Sequence, residues 1–302
     1  MTGYEREVEI IICDNASNDD TEDSVSLFLE SYPWIRYHRN IENIGGERNF
    51  RRAATLAQGE NVWIFGDDDI MGVQAVGRVL DSIQAGYALT ICNYSVWNKD
   101  LTLRLRECGI LGRTDLTFEN PNMVMEQYGL HLGYISAVII NKALFLKLPI
   151  EDYEPFVEYG FPFMYSVYTG IIGQPCKTKF IADPVIWNRG GNSGDYDWHK
   201  LIVVGSSLIL DSLLEKGYNQ RNVKVAKRKI LCEFVLPNIL GLKSQMSNEQ
   251  HHATVKLLVE YYKSYWQFWL LGFPKLLIPT FALVLIKRMR TFSVKFSKLI
   301  RE

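Results

Sequence analysis

Three consecutive aspartates, Asp67, Asp68 and Asp69, follow an apolar run at residues 62–65 and a single glycine, Gly66. A short apolar run of this kind predicts a buried strand, so the carboxylates are expected at its carboxyl end. Open α/β sheets bind their ligands at that edge. One or two carboxylates with substrate phosphates are the usual ligands of Mg²⁺ and Mn²⁺. The triplet predicts a metal and phosphate site, with a solvated acidic turn as the alternative.

The segments around the triplet alternate between strand and helix patterns. Residues 7–13, 35–38 and 61–65 are short and rich in β-branched or aromatic residues, which predicts three strands. Residues 24–32 and 47–58 have helical apolar spacing and lie between those strands. Strands and helices that alternate with short loops indicate an α/β fold with a parallel sheet.

Four motifs of this region resemble, in their order and spacing, the nucleotide-binding half of the family 2 glycosyltransferases. They are the strand end and turn at residues 12–21, the Asn- and Gly-rich loop at 39–49, the segment at 57–60 and the strand with its aspartates at 63–69. The resemblance implies a GT-A fold, which is a Rossmann-like sheet that holds a nucleotide-diphosphate sugar. The sequence of the aspartate motif is similar to the corresponding sequence in bacterial enzymes that build O-antigen and capsule.

The resemblance implies roles for four residues ahead of the aspartates. Asp14 and Asn15, at the end of the first strand, are expected to face the nucleotide base. An amide both donates and accepts hydrogen bonds, so Asn15 leaves uracil, thymine and cytosine open. Arg48 and Asn49 open a helix and are expected near the diphosphate. The alternative for Arg48 is an exposed helix arginine.

The aspartate turn and a later arginine segment would complete the donor site. By resemblance, Asp67 lies near the ribose, Asp68 belongs to the same donor-binding turn, and Asp69, together with Asp67, binds Mn²⁺ or Mg²⁺. The ion would stabilise the charge of the leaving diphosphate. Residues 184–194 read as a polar, glycine-rich loop in which Arg189 and Asn192 could close over the diphosphate. The alternative is an ordinary connection between domains.

An inverting transfer needs one base to remove the proton of the acceptor hydroxyl. The candidates are the four carboxylates Glu151, Asp152, Glu154 and Glu158. We favour Glu158, which precedes a helix pattern at residues 161–172, and take Asp152 as the second candidate. The alternative for each of them is a surface carboxylate.

Composition agrees with an enzyme of the cytoplasm. The chain has 302 residues, a formal net charge of -1 and 47% hydrophobic residues, so its overall charge gives no sign of nucleic-acid binding. Five cysteines without CxxC spacing indicate reduced thiols instead of a disulfide framework or a zinc site. We expect a catalytic domain at 1–194, a helical region at 195–262 and a tail at 263–302.

The tail combines aromatic, apolar and basic residues. Tyrosines, tryptophans and a phenylalanine crowd residues 261–269, a stretch at 270–286 carries Lys275 as its only charge, and lysines and arginines follow. Such a pattern is typical of contact with an anionic membrane surface. A spanning helix needs about 20 apolar residues, and Pro274 and Pro279 interrupt this stretch. The tail therefore predicts an in-plane or re-entrant anchor, with a buried core helix as the alternative.

The sequence thus predicts a metal-dependent, inverting glycosyltransferase at the cytoplasmic face of the bacterial inner membrane. It would move a sugar from a nucleotide-diphosphate donor to a lipid-linked saccharide. The alternatives are a sugar nucleotidyltransferase and a catalytically inactive GT-A-like scaffold. The family normally carries one further strand and helix before residue 7. We therefore expect the 302-residue form to be N-terminally truncated, poorly soluble and nearly inactive, because unpaired strand edges favour aggregation.

Overall fold

A computed structural model describes residues 3–173, 175–191, 197–244 and 246–279. Asn192 and the basic end of the tail lie outside these residues. The strands of the described part are β1 (Ile10–Asp14), β2 (Ile35–Arg39), β3 (Asn61–Trp63), β4 (Ile70–Met71), β5 (Leu89–Trp97), β6 (Arg104–Arg106), β7 (Leu116–Phe118), β8 (Val138–Asn141) and β9 (Thr178–Arg189).

Helices surround these strands and make up most of the described residues after β9. They are α1 (Thr21–Ser31), α2 (Gly46–Leu56), α3 (Ala75–Gln84), α4 (Pro121–Tyr128), α5 (Lys142–Phe145), α6 (Ile150–Val157), α7 (Pro162–Ile171), α8 (Ser206–Glu215), α9 (Gln220–Ile230), α10 (Leu236–Lys243), α11 (Asn248–Tyr262) and α12 (Phe273–Leu277). Three segments have π-helical geometry. His199–Gly205 precedes α8, Leu231–Val235 joins α9 to α10, and Phe268–Gly272 precedes α12.

The strands form two sheets. β1 and β2 are a parallel pair in which Ile10 is opposite Ile35 and Asp14 is opposite Arg39. The larger sheet has the order β3-β8-β5-β9-β4, with β6 beside β5 and β7 beside β9. It is mixed, because β8 runs antiparallel to both β3 and β5 while β5 and β9 are parallel. The expected parallel pairing holds for β1 and β2, but the larger sheet is mixed, since β8 comes from later in the chain and enters between β3 and β5.

Among the described residues, β1 and β3 each pair on one side alone. Contact between the two sheets comes instead from Glu9, whose Oε1 accepts hydrogen bonds from the backbone N–H groups of Gln58 (2.6 Å) and Gly59 (2.7 Å) just before β3. These two hydrogen bonds fix the backbone that precedes β3 relative to β1.

Apolar residues cover both faces of the larger sheet, which is why it can be buried. The smaller core cluster lies where α3 packs against the sheet and includes Ala75, Val79, Ile139 and Ile186. The larger cluster joins the other face to α4, α7, α8 and α9. Full burial of a leucine, valine or phenylalanine side chain contributes about 1.5–3 kcal/mol. The helical region therefore shares a core with the sheet.

The first part of the tail also belongs to this core. Phe268 and Leu276 are buried, and the Leu276 carbonyl accepts hydrogen bonds from the side chains of Lys243 and His251. Lys275 donates to the Leu236 carbonyl at 2.7 Å. Within the described ranges, the helices are too short or too polar to cross a bilayer. The division of the chain at residue 263 stays a prediction.

Candidate functional site: the strand ends and the aspartate turn

The end of β1 places a buried carboxylate inside a hydrogen-bonded turn. Asp14 is 4% exposed. Its Oδ1 accepts from the Ser17 N–H (2.9 Å) and its Oδ2 from the Tyr37 hydroxyl (2.6 Å), while Arg39 lies 3.7 Å away. Burial would raise the pKa of Asp14, but these hydrogen bonds and the arginine charge outweigh burial and lower it. Asp14 is therefore held ionised, and it fixes the loop that follows β1.

Four asparagine side chains connect this loop to the start of α2. The Asn15 Oδ1 accepts from the Asn40 side chain (2.9 Å) and from the Ile44 N–H (3.0 Å), and its Nδ2 donates to Asn43 (2.8 Å). Asn40 also donates to the Asn49 Oδ1 (2.9 Å). The Asn49 Nδ2 in turn donates to the Cys13 carbonyl (2.8 Å). These amides fix the loops around the expected base site. Asn49 connects the start of α2 to the end of β1 through its two hydrogen bonds.

The aspartate turn is anchored by the segment before β8. Gly66 donates its N–H to the Ser136 hydroxyl (2.9 Å). A Cβ at Gly66 would lie 2.9 Å from the Asp68 carboxylate and 3.4 Å from the Asp69 carboxylate and the Ser136 hydroxyl, so a larger residue would displace these side chains. Asp67 is exposed and Asp68 and Asp69 are partly buried. The chain therefore presents Asp67 to solvent and turns Asp69 inward.

Asp69 joins three parts of the chain through four hydrogen bonds. Its Oδ2 accepts from the hydroxyls of Tyr134 (2.6 Å) and Ser136 (2.7 Å). Its Oδ1 accepts from the Asn188 side chain and the Arg189 N–H, both at 3.2 Å. Asp69 therefore ties the turn to the segment before β8 and to the end of β9.

Arg189 contacts the aspartate turn from a strand and not from a loop. Its Nε donates to the Asp68 carbonyl at 2.9 Å, and β9 continues through Arg189. The expectation of a loop from Pro184 onward was wrong. The pairing of β9 with β5 shifts register between Ile181 and Ile186, and a bulge of this kind accommodates a proline inside a strand. Asn192, expected to join Arg189, lies outside the described residues.

Comparison with known proteins identifies the part of the chain that carries these turns. Residues 4–145 match the model of glycosyl transferase family 2. They form a family 2 glycosyltransferase domain. The abequosyltransferase RfbV of Salmonella typhimurium is 26% identical over 199 residues, which cover 63% of this chain and 59% of that relative. The match thus spans less than two thirds of the relative's length.

Solved structures show that the domain has a GT-A-like fold. The S. aureus protein TarS, residues 1–349, superposes with a TM-score of 0.59 in its complex with UDP-GlcNAc and 0.60 in its complex with UDP. Both comparisons cover 85% of this chain, at 13% sequence identity, and they cover 72% and 71% of the TarS chain. The predicted family and fold are confirmed.

The donor set of the family 2 domain limits how a divalent cation fits. A carboxylate offers about four acceptor positions. Those of Asp69 already accept four hydrogen bonds from the protein. Within the part of the chain that the structure describes, no three Asp, Glu, His or Cys side chains converge as a metal cage. One or two carboxylates with phosphate oxygens suffice for Mg²⁺ or Mn²⁺. The turn thus fits an ion held by the exposed Asp67 and the donor phosphates, and the metal role of Asp69 stays a prediction.

The carboxylates expected to act as the base are engaged in ion pairs. Glu158 lies 3.0 Å from Lys200 and Asp152 lies 2.8 Å from Lys216, so both face the helical region. Glu154 pairs with Arg48 at 2.7 Å and joins α6 to the start of α2. Glu151 is exposed. Because Arg48 is engaged by α6, its expected role at the diphosphate stays a prediction, as does the role of each carboxylate as the base.

One buried carboxylate escaped the sequence analysis. Glu47 stands in the first turn of α2, where an acidic residue is ordinary. Its Oε1 accepts from the Phe161 N–H at 3.3 Å, and its Oε2 is sealed from solvent without a hydrogen-bond partner. Burial raises the pKa of Glu47 to about 7. No local sequence pattern indicates that the Glu47 carboxylate is buried, because the residues that shield it lie between α6 and α7, far away in the sequence.

We expect Glu47→Gln to stabilise the protein at alkaline pH. The folded-state pKa exceeds the ordinary value of 4.5, so folding favours the protonated form. The stability that this provides is complete below about pH 4.5 and is lost as the pH rises through about 7. Glutamine removes the cost of ionising a buried group, which amounts to as much as about 3 kcal/mol.

Thermal melts followed by circular dichroism at pH 5 and pH 8 measure this effect. The gain of Glu47→Gln over wild type should be larger at pH 8, and the exposed Glu60 provides a control as Glu60→Gln. An equal effect at both pH values would contradict the raised pKa.

Proposed function

We propose that the protein transfers a sugar from a nucleotide-diphosphate donor to an acceptor hydroxyl, with inversion at the sugar carbon. The observation that carries this proposal is the aspartate turn, which follows β3 and is tied through Asp69 to Asn188 and Arg189 at the end of β9. An exposed carboxylate and a guanidinium thereby lie together at one edge of a family 2 domain. Abequosyltransferase activity in one relative supports the same class of reaction.

The charges of the turn suit a diphosphate leaving group. In the transfer, the bond between the sugar carbon and the diphosphate oxygen breaks, and its electron pair stays on the diphosphate. Arg189 would stabilise that developing charge by hydrogen bonds and by its positive charge. A Mn²⁺ or Mg²⁺ ion, held by Asp67, would supply further positive charge when bound. Asp14 and Asn15 would hold the loop against which the base is placed.

We further propose that the acceptor is a lipid-linked saccharide at the cytoplasmic face of the inner membrane. The support is an exposed apolar face on the segment that includes α12. Its large side chains are Trp266, Trp269, Leu270, Leu271 and Leu277, with exposures of 65%, 44%, 65%, 48% and 67%. Contiguous exposed apolar residues mark interaction surfaces, and tryptophan suits the membrane–water interface. The basic residues at 287–301 would attract anionic lipid headgroups.

A donor screen tests the catalytic proposal. Purified protein is titrated by calorimetry with UDP-, CDP-, dTDP- and GDP-sugars, with and without Mn²⁺, and release of the nucleotide diphosphate is then followed for each donor that binds. We expect one donor class to bind and to turn over slowly with water as acceptor. Binding without any turnover would favour the inactive scaffold, and a protein that binds no donor would overturn the proposal.

A further inference from the structure

A buried histidine faces a carboxylate that the donor site does not use. His131 lies in the tight turn Gly129–Gly133 and is 8% exposed. Its Nε2 is 3.1 Å from the Glu233 carboxylate, and its Nδ1 is 3.5 Å from the Tyr94 hydroxyl. A neutral imidazole that donates from Nε2 to Glu233 can accept at Nδ1 from Tyr94. The three side chains therefore form one hydrogen-bonded group that connects the sheet to the helical region.

This group continues to the aspartate turn through a second tyrosine. The Tyr94 and Tyr134 rings are in edge contact, with centroids 4.5 Å apart, and Tyr134 donates its hydroxyl proton to Asp69 at 2.6 Å. Burial raises the pKa of Tyr94, and the negative charges of Glu233 and Asp69 raise it further. Both carboxylates thus act on one buried hydroxyl. Successive contacts through His131, Tyr94 and Tyr134 therefore connect Glu233 to Asp69, although the two carboxylates are far apart in the sequence.

The local backbone leaves Glu233 partly exposed between buried residues at the two ends of its turn. It belongs to the wide π-type turn Leu231–Val235, in which Leu231 and Val235 are buried. The Glu233 side chain is 39% exposed, and the adjacent Phe234 packs on the His131 ring with centroids 5.2 Å apart. Turns of this type are rare and often mark functional sites. His131 therefore contacts one carboxylate oxygen of a side chain that is partly exposed to solvent.

The charged surroundings of Glu233 differ from those of the other candidate bases. Glu158, Asp152 and Glu154 each form an ion pair with a lysine or arginine, so a protein cation occupies at least one oxygen of each carboxylate.

Glu233 instead contacts an imidazole. Two cations also act on the group of His131, Glu233 and Tyr94: Lys229 from α9 interacts with the Glu233 charge, and Arg106 from β6 acts on Tyr94. Lys229 donates to the Gln127 carbonyl at 3.0 Å, so that lysine is directed to α4. Glu233 is the candidate carboxylate that combines solvent access with a link to the aspartate turn.

We propose that Glu233 is the base that removes the proton from the attacking hydroxyl, with His131 as the residue that positions it. This inference rests on the proposed function. In the step, the acceptor O–H proton moves to a Glu233 oxygen as the acceptor oxygen bonds to the sugar carbon. The bond from that carbon to the diphosphate breaks, and its electron pair leaves with the diphosphate. The His131 Nε2–H bond keeps the carboxylate oriented, and Tyr94 fixes the imidazole.

Glu233→Gln tests the assignment without an identified acceptor, because water replaces the acceptor in donor hydrolysis. The probe is the nucleotide sugar found in the calorimetric screen. We expect hydrolysis to fall about 100-fold, as for the loss of a general base, with the donor Kd unchanged within twofold. The pH–rate profile should lose its acidic limb. Glu260→Gln, an exposed glutamate of the same helical region, should behave as wild type in every measurement.

Two further variants separate a base from a structural residue. Glu233→Ala should regain hydrolysis when formate is added, which a purely structural role does not predict. His131→Asn should lower the rate by about 10-fold and shift the acidic limb without removing it, because the base remains. Wild-type rates and an unchanged pH profile in Glu233→Gln would overturn this inference alone. Wild-type protein that binds no nucleotide sugar would overturn the proposed function together with it.

Discussion

Replacing Asp69 with asparagine is expected to lower donor turnover by about 100-fold or more. The asparagine Oδ1 can still accept from Asn188 and the Arg189 N–H, and its Nδ2 can donate to the hydroxyls of Tyr134 and Ser136, which also accept. The hydrogen-bonded frame is therefore retained in this variant. What it loses is the negative charge and a good ligand for a hard cation, because an amide oxygen binds Mn²⁺ less well than a carboxylate.

Three measurements separate the two roles of Asp69. Turnover is followed against Mn²⁺ concentration for Asp69→Asn and Asp67→Asn, and thermal stability is followed for Asp69→Ala. Alanine leaves donors such as Arg189 N–H without an acceptor, and each buried one costs about 1–3 kcal/mol, so Asp69→Ala should also lower the Tm. Asp81→Asn, an exposed aspartate on α3, is the control. Wild-type turnover of Asp69→Asn at limiting Mn²⁺ would show that its charge and metal role are both dispensable.

The second large effect is expected at the membrane. Changing Trp266, Trp269 and Leu270 to serine should weaken binding to vesicles that contain anionic lipid by at least about 100-fold, because each buried CH₂ contributes about 0.8 kcal/mol. These side chains are exposed, so the fold should survive the change. High salt should loosen the wild-type protein only in part, since screening weakens the charge attraction and leaves apolar insertion.

Vesicle co-sedimentation measures this binding. The structure favours surface substitutions over a deletion of the tail. Deletion from Leu270 onward would remove Leu276, which is buried, and would be expected to unfold the helical region. Surface substitutions avoid that loss. Leu27 and Phe28 are as exposed on α1, so Leu27→Ser with Phe28→Ser is a matched control that should leave binding unchanged. If both variants sediment as wild type does, the exposed face of the tail segment is not a membrane contact.

Local patterns in the sequence determined the elements and their chemistry. The apolar run before Asp14 forms β1, which ends at Asp14, and the run before Asp67 forms β3, which ends at Trp63, four residues before Asp67. The helix after the Gly-Gly loop begins at Gly46. These features depend on neighbours within a few residues, so periodicity and turn chemistry are sufficient to find them. The order of four such motifs was also enough to identify the family.

The tertiary structure alone decided which side chains meet. Asp69 is satisfied by Tyr134 and by residues at the end of β9, and Glu233 reaches His131 across the boundary between sheet and helices. The same holds for β8, which enters the sheet between β3 and β5, and for the cover that buries the Glu47 carboxylate. Each of these contacts joins segments that are far apart in the chain. Periodicity shows which face of an element is buried, whereas the partner on that face is set by how distant elements pack together.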